Sequence, residues 1–167
     1  DSSVNDHKFS GGPSNANGRY YGYVSLRFAL EQSLNTVAWQ LFEELTPKVG
    51  LQYLLNMHFS KIVKKDYINA ASIGGLTYGC SALEMASGFA TLENDGKFRD
   101  PTCIVKILDS EGNTVVEDHV DETYIYDSKA ANTMVDMMEG VFTRGTARGL
   151  GLDTDIVCAG KTGTTND

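Results

Sequence analysis

The apolar residues of this chain change their spacing twice, and that alternation limits the folds open to it. From Leu26 onward they recur every three to four residues, through Ala29, Leu30, Leu34, Val37, Ala38, Leu41 and Phe42, the stripe of an amphipathic helix starting at Ser25. A second helical face, Val49, Leu51, Leu54, Leu55 and Phe59, follows Thr46 as cap, with Pro47 in the first turn. A third opens on Ser81-Ala82-Leu83-Glu84, a capping box, and runs through Met85, Phe89 and Leu92 to Asn94-Asp95-Gly96. Beyond residue 100 the period falls to two. Thr102 to Leu108 and Thr114 to Val116 read as strands around Asp109-Ser110-Glu111-Gly112-Asn113, and Tyr124 to Tyr126 as a short third strand. Helical spacing returns after Asp127 through Ala130, Met134, Met137, Met138 and Val141, methionines that read as core filler. The expected class is α+β, mostly helical.

Organisation follows from the same pattern. Residues 1–19, rich in Ser, Asn and Gly, read as a loop; 25–95 as a helical part; 102–126 as a β-hairpin region; 127–143 as a helix; and 155–165 as a short strand carrying Lys161-Thr162-Gly163. At 167 residues and 41% hydrophobic, the chain has material for one domain with a real core. A net charge of −8 speaks against nucleic acid or an anionic membrane surface, since either calls for a basic patch. No apolar run approaches the roughly 18 residues of a membrane span, and the polar residues at the start do not read as a signal peptide. Cys80, Cys103 and Cys158 are too scattered for a zinc site and read as small buried hydrophobes. No metal or cofactor is expected.

Two polar constellations could carry chemistry. Ser33-Leu34-Asn35 interrupts an apolar helix face, though Ser and Asn in helices often only bond their own backbone. Lys161-Thr162-Gly163-Thr164 puts a cation, two hydroxyls and a glycine at a strand end. Such an edge can hold a carboxylate, because the hydroxyls donate, the amine supplies charge and glycine admits a ligand backbone. Alone it also reads as a solvated turn. It is not a phosphate loop, since Asp155 stands where that pattern needs its first glycine.

Together, S-x-N followed 128 positions later by K-T-G gives two thirds of the serine acyl-transfer signature S-x-x-K, S-x-N, K-T-G. The flanks add to it: Arg19-Tyr20-Tyr21-Gly22, Ala29-Leu30-Glu31-Gln32-Ser33-Leu34-Asn35-Thr36-Val37-Ala38, Gly79-Cys80-Ser81-Ala82-Leu83-Glu84-Met85-Ala86, Phe89-Ala90-Thr91-Leu92-Glu93-Asn94-Asp95-Gly96 and Gly145-Thr146-Ala147. From about residue 9 to its end the chain resembles the transpeptidase domain of class A, bifunctional penicillin-binding proteins. No serine stands three residues before a lysine, so S-x-x-K is missing. The resemblance is to the middle of that domain: its helical subdomain plus the motif strand, with an incomplete sheet.

The resemblance implies a D,D-transpeptidase that cross-links peptidoglycan through an acyl-serine. Its partners would be the D-Ala-D-Ala stem peptide and β-lactams, at the extracytoplasmic face of a bacterial membrane, tethered by a segment not in this sequence. Ser33 would relay a proton, Asn35 bond the substrate amide and Lys161 bias Ser33 and attract the carboxylate. Thr162 and Thr164 would bind that carboxylate, Gly163 would let the ligand approach, and the Thr164 N–H would supply half an oxyanion hole. The chain alone is expected to be inactive. A β-lactamase, a penicillin-sensing receptor and a non-catalytic binding module share this motif logic. Leu34, where the class A β-lactamase pattern has Asp, separates the first; the residues upstream of Asp1 would separate the last.

Overall fold

Strand β1 (Ser3–Asp6) pairs antiparallel with β2 (Gly22–Ser25), Val4 opposite Val24. The expected loop therefore begins only after Asp6. A four-residue strand with one apolar inward position shows too little alternation to stand out in the sequence. Ser25 ends β2 and caps α1 (Leu26–Glu31), its side chain accepting the Phe28 N–H, which satisfies one free donor of the first turn. The computed structural model describes residues 2–117, 121–150 and 155–164.

The single helix expected after Ser25 is two. Helix α2 (Asn35–Leu45) starts after a break at residues 32–34, and α3 (Pro47–Asn56) follows directly, with Pro47 in its first turn. Thr46 joins α2 to α3 at φ 73° and makes no side-chain capping bond, so it bends the chain rather than capping it. Two short 3₁₀ turns, Lys64–Asp66 and Asn69–Ile73, lead to α4 (Ala82–Glu93). Its capping box forms: Ser81 accepts the Glu84 N–H while Glu84 accepts the Ser81 N–H. Glu84 also takes the Ser60 N–H and hydroxyl, and these donors hold its pKa down at about 2.

Gly96 ends that helix at φ 81°; a Cβ there would lie 2.4 Å from the Tyr126 carbonyl oxygen. It leads into β3 (Lys97–Arg99). Then come β4 (Lys106–Leu108), β5 (Thr114–Glu117) and β6 (Glu122–Tyr124). β4 and β5 form the expected hairpin, with a register shift between Ile107 and Leu108. Residues 102–105 do not join it as a strand, and the third strand lies at Glu122–Tyr124 and pairs with β3 rather than with the hairpin. Helix α5 (Ser128–Thr143) is capped by Asp127, which accepts the Lys129 and Ala130 N–H groups.

Among the described residues the strands form three separate two-stranded antiparallel sheets, so the fold is α+β with no large sheet. Buried apolar residues gather in two clusters. One joins Ala29, Leu34 and Val37, with Val4, Val24 and Phe28 packed on it; the other joins Met57, Phe59 and Phe98, with Leu54, Ile125 and Tyr126 around it. Of the α5 methionines only Met138 is buried; Met134 is exposed and Met137 half-buried. None of the three cysteines is buried, contrary to expectation, and Cys103 is exposed. Residues 155–164 form no strand, although Ile156 to Ala159 has strand composition. A strand needs a partner for its backbone groups, and none pairs with it among the described residues. Thr165 lies outside the described residues.

Candidate active site

The break between α1 and α2 is where the S-x-N residues sit, and each has its own backbone task. Helix α1 ends in a Schellman arrangement: the Ser33 N–H donates to the Leu30 carbonyl at 3.1 Å and the Leu34 N–H to the Ala29 carbonyl at 2.9 Å. Ser33 takes the left-handed position at φ 54°, where glycine is usual. Leu34, 3% exposed, turns into the cluster of Ala29 and Val37, supplying the apolar contact that accompanies such caps. Asn35 then opens α2, and its Nδ2 donates to the Ser14 carbonyl at 2.9 Å. Burial of Leu34 therefore pins the two polar residues on either side of it; emptying that position costs about 2–5 kcal/mol in cores of this kind.

Helix α1 is itself held against α5. Arg27 reaches the Asp136 carboxylate at 2.5 Å and its carbonyl at 3.1 Å. Near the end of α1, the buried Glu31 carboxylate receives Arg144 at 2.5 Å, and this pairing raises the Arg144 guanidinium pKa. Two glycines let the helices approach this closely. A Cβ on Gly140 would lie 2.0 Å from Glu31 Oε1, and one on Gly145 would lie 2.3 Å from the Glu31 carbonyl oxygen. The Thr146 N–H donates to that same carbonyl at 3.0 Å. The turn after α5 is thus fastened two residues before Ser33.

The K-T-G segment arrives on this turn. The hydroxyls of Thr146 and Thr162 lie 2.6 Å apart, and a Cβ on Gly160 would lie 3.1 Å from Phe142 Cε2. Lys161 Nζ donates to Ser33 Oγ at 2.6 Å and to the Thr162 carbonyl at 2.9 Å. Although the Lys161 side chain reaches the surface, its amine is tucked into these contacts. The loss of water there lowers its pKa. Ser33, Lys161 and Thr162 are therefore brought together across 128 positions. Gly163 and Thr164 are exposed, and a Cβ on Gly163 would meet nothing within 4 Å. Two surface grooves, of about 130 and about 400 Å³, lie along α4 and include neither Ser33 nor Lys161.

Sequence reasoning overlooked Glu31, Arg144 and Thr146, which hold the two motifs in one place. The signal available was the pair Gly140 and Gly145 at the end of an otherwise good helix, a composition that permits close approach of another backbone. The arrangement pairs an amine donor with a hydroxyl acceptor beside a second hydroxyl, Thr162. Chemically it can pass a proton and attract an anion.

Residues 3–167 match the model of the penicillin binding protein transpeptidase domain. Penicillin-binding protein 4 of Bacillus subtilis (strain 168) is 32% identical over 155 residues, covering 93% of this chain and 25% of that protein. Penicillin-binding protein 1A of Clostridium novyi (strain NT) is 34% identical over 155 residues, covering 90% of this chain and 18% of that protein. The chain thus spans a quarter or less of the length of these relatives. Among solved structures, the D,D-transpeptidase domain of a peptidoglycan glycosyltransferase from Eggerthella lenta superposes with a TM-score of 0.74 at 22% identity. That match covers 93% of this chain and 45% of the other. Penicillin-binding protein A from M. tuberculosis, solved as an imipenem acyl-enzyme complex, gives 0.72 at 19% identity over 92% of this chain and 39% of the other. These likenesses establish the fold.

Proposed function

This chain belongs to the penicillin-binding protein transpeptidase family, and from that premise we propose that the protein carrying it is a peptidoglycan D,D-transpeptidase working through an acyl-serine, with Ser33 and Lys161 handling protons. The observation that carries this reading is the 2.6 Å contact from Lys161 Nζ to Ser33 Oγ. An ammonium only donates. With Lys161 giving a hydrogen to Ser33 Oγ, the hydroxyl's own hydrogen points elsewhere, free for the nitrogen expelled when the D-Ala-D-Ala bond breaks. Lys161 can then restore the proton to Ser33, and its lowered pKa makes that transfer easier.

The rest of the site follows from charge and hydrogen-bond capacity. The terminal carboxylate of the stem peptide meets the charge of Lys161 and the hydroxyls of Thr162 and Thr164, with Gly163 leaving room for the peptide backbone. The carboxamide of Asn35 matches a substrate peptide amide, donor to acceptor and acceptor to donor. The Thr164 N–H supplies one oxyanion donor. The attacking serine belongs to an S-x-x-K, which none of the serines here satisfies. It attacks the D-Ala carbonyl and releases the terminal D-Ala; a second stem peptide's amine then takes the acyl group. β-Lactams acylate the same serine. Such work takes place on the extracytoplasmic face of the membrane. No helix among the described residues is long and apolar enough to cross one.

The test uses fluorescent penicillin followed by denaturing electrophoresis. The 167-residue chain should take no covalent label. A longer polypeptide from the same gene that includes an S-x-x-K should be labelled, and Lys161→Ala in it should slow labelling about 100-fold or more. A stable label on Ser33 of the short chain would overturn the assignment of Ser33 as relay.

A further inference from the structure

The net charge of −8 conceals a local concentration of the opposite sign. Lys61, Lys64 and Lys65 fall within a few positions of one another between α3 and α4. All three are exposed, and among the described residues none of them has an ion-pair partner. The acidic residue that follows them, Asp66, is turned inward. It is 1% exposed and accepts the Thr77 hydroxyl at 2.5 Å, the Val63 N–H at 2.8 Å and the Thr77 N–H at 2.8 Å. These donors, the Thr77 hydroxyl above all, hold its carboxyl below the usual carboxylate range.

Asp66 also sets the shape of the segment. With its side chain drawn inward, Lys64 and Lys65 of the same 3₁₀ turn are left in water. The next residue, Tyr67, stands at φ −76° and ψ 53°, the centre of an inverse γ-turn closed by the Ile68 N–H on the Asp66 carbonyl at 2.7 Å. The chain bends there with both apolar side chains out: Tyr67 is 39% and Ile68 54% exposed. The bonds from Thr77 to Asp66 bring its neighbour Tyr78, 67% exposed, to the same bend. A single exposed apolar residue is ordinary on a surface. Here two tyrosines and an isoleucine share one buried anchor with unpaired lysines.

This combination matches one kind of surface. Lysines gain from the negative potential of anionic headgroups, while tyrosine and isoleucine reach the boundary between headgroups and acyl chains. An anionic polymer in water would use the lysines and leave the apolar side chains without a role. The acidic residues elsewhere on the chain oppose the approach little, because at about 0.1 M salt charges are screened beyond roughly 10 Å. We propose that the bend at residues 61–68, together with Tyr78, is a peripheral docking surface for an anionic lipid bilayer, lying on the membrane rather than crossing it. Neither Ser33 nor Lys161 takes part, so the proposal stands apart from the acyl-transfer reading.

The test is co-sedimentation of the 167-residue chain with vesicles of phosphatidylglycerol and phosphatidylcholine in equal parts, and with phosphatidylcholine alone. The chain should sediment with the first and stay in solution with the second, and added salt should release it. Lys64→Gln combined with Lys65→Gln should weaken binding about 25-fold, which is about fivefold for each charge lost. Ile68→Ser should weaken it about fivefold and leave the salt dependence as it was. Lys129→Gln, exposed near the start of α5, should bind like the wild type. All these positions are exposed, and an unchanged Tm shows that each variant is folded. No binding to the anionic vesicles overturns the proposal, as does a Lys64→Gln, Lys65→Gln chain that binds undiminished. Equal weakening by Lys129→Gln overturns the assignment to this bend. An unaffected Ile68→Ser chain overturns the choice of lipid, and retention on immobilised polyphosphate would then identify an anionic polymer as the partner.

Discussion

The corner where α1 meets α5 and the hairpin of β4 and β5 are both contacts between two elements, yet they are built in opposite ways. At the corner, Glu31 is buried, two glycines remove the side chains that would keep the backbones apart, and one carbonyl holds the turn that carries Thr146. In the hairpin every residue of both strands is exposed, with Val115 at 63% and neighbouring Val105 at 77%. The difference tracks separation along the chain. Glu31 and Arg144 are 113 positions apart, whereas the hairpin closes through a five-residue turn. A local contact costs little chain entropy and can persist without a core. A distant one holds only if buried groups fix it from several sides, and the candidate site residues stand on the distant one.

The sharpest way to break the corner is Gly145→Ala. The added methyl meets backbone at 2.3 Å, which cannot rotate away, and the loss should reach about 3 kcal/mol, the upper end of overpacking costs. Urea unfolding should show it as a lower midpoint. Arg144→Met comes next: it leaves the buried Glu31 carboxylate without its partner, at about 2 kcal/mol by the usual cost of an unsatisfied buried group. Ser33→Gly should go the other way. Relieving the left-handed conformation at φ 54° should stabilise the chain by up to about 1 kcal/mol, seen as a higher Tm, while removing the hydroxyl that receives Lys161. A lower Tm for this variant would mean that the Lys161 contact outweighs the backbone strain. Val115→Thr in the hairpin should change stability by less than about 0.5 kcal/mol; a larger loss would show that something covers that face.

The contrast also separates what could be read from residues alone. Helix α5, the capping box at Ser81 and Glu84, the turn at Gly96 and the hairpin are governed by neighbours within a few positions, and their residues announce them. The break at Ser33 does not announce itself, because the apolar spacing runs on through Leu30, Leu34 and Val37 as if one helix continued. Only the burial of Leu34 between the two pieces reveals why the chain turns there. Strands β1 and β2 are too short to show a period. The motif residues were legible as types, Ser33, Asn35 and Lys161 among them, but their meeting depends on Glu31, Gly140, Gly145 and Thr146. Glu31 and Thr146 carry no pattern of their own, and the two glycines announce a close approach without saying to what, so all four matter only once α5 lies beside α1.

The 128 positions between Ser33 and Lys161 also bear on when the site comes into being. Bringing together chain ends so far apart costs about 4 kcal/mol of configurational freedom in an unstructured chain, with nothing local to repay it. In a folding chain this proximity comes after the helices, the caps and the hairpin, once α1 and α5 have docked. A donor–acceptor dye pair placed near these two residues would report the final stage of assembly and little else. Molecules arrested short of that stage would have most of their helical signal while Lys161 still lay far from Ser33, so the close-approach signal would count the fully folded chains.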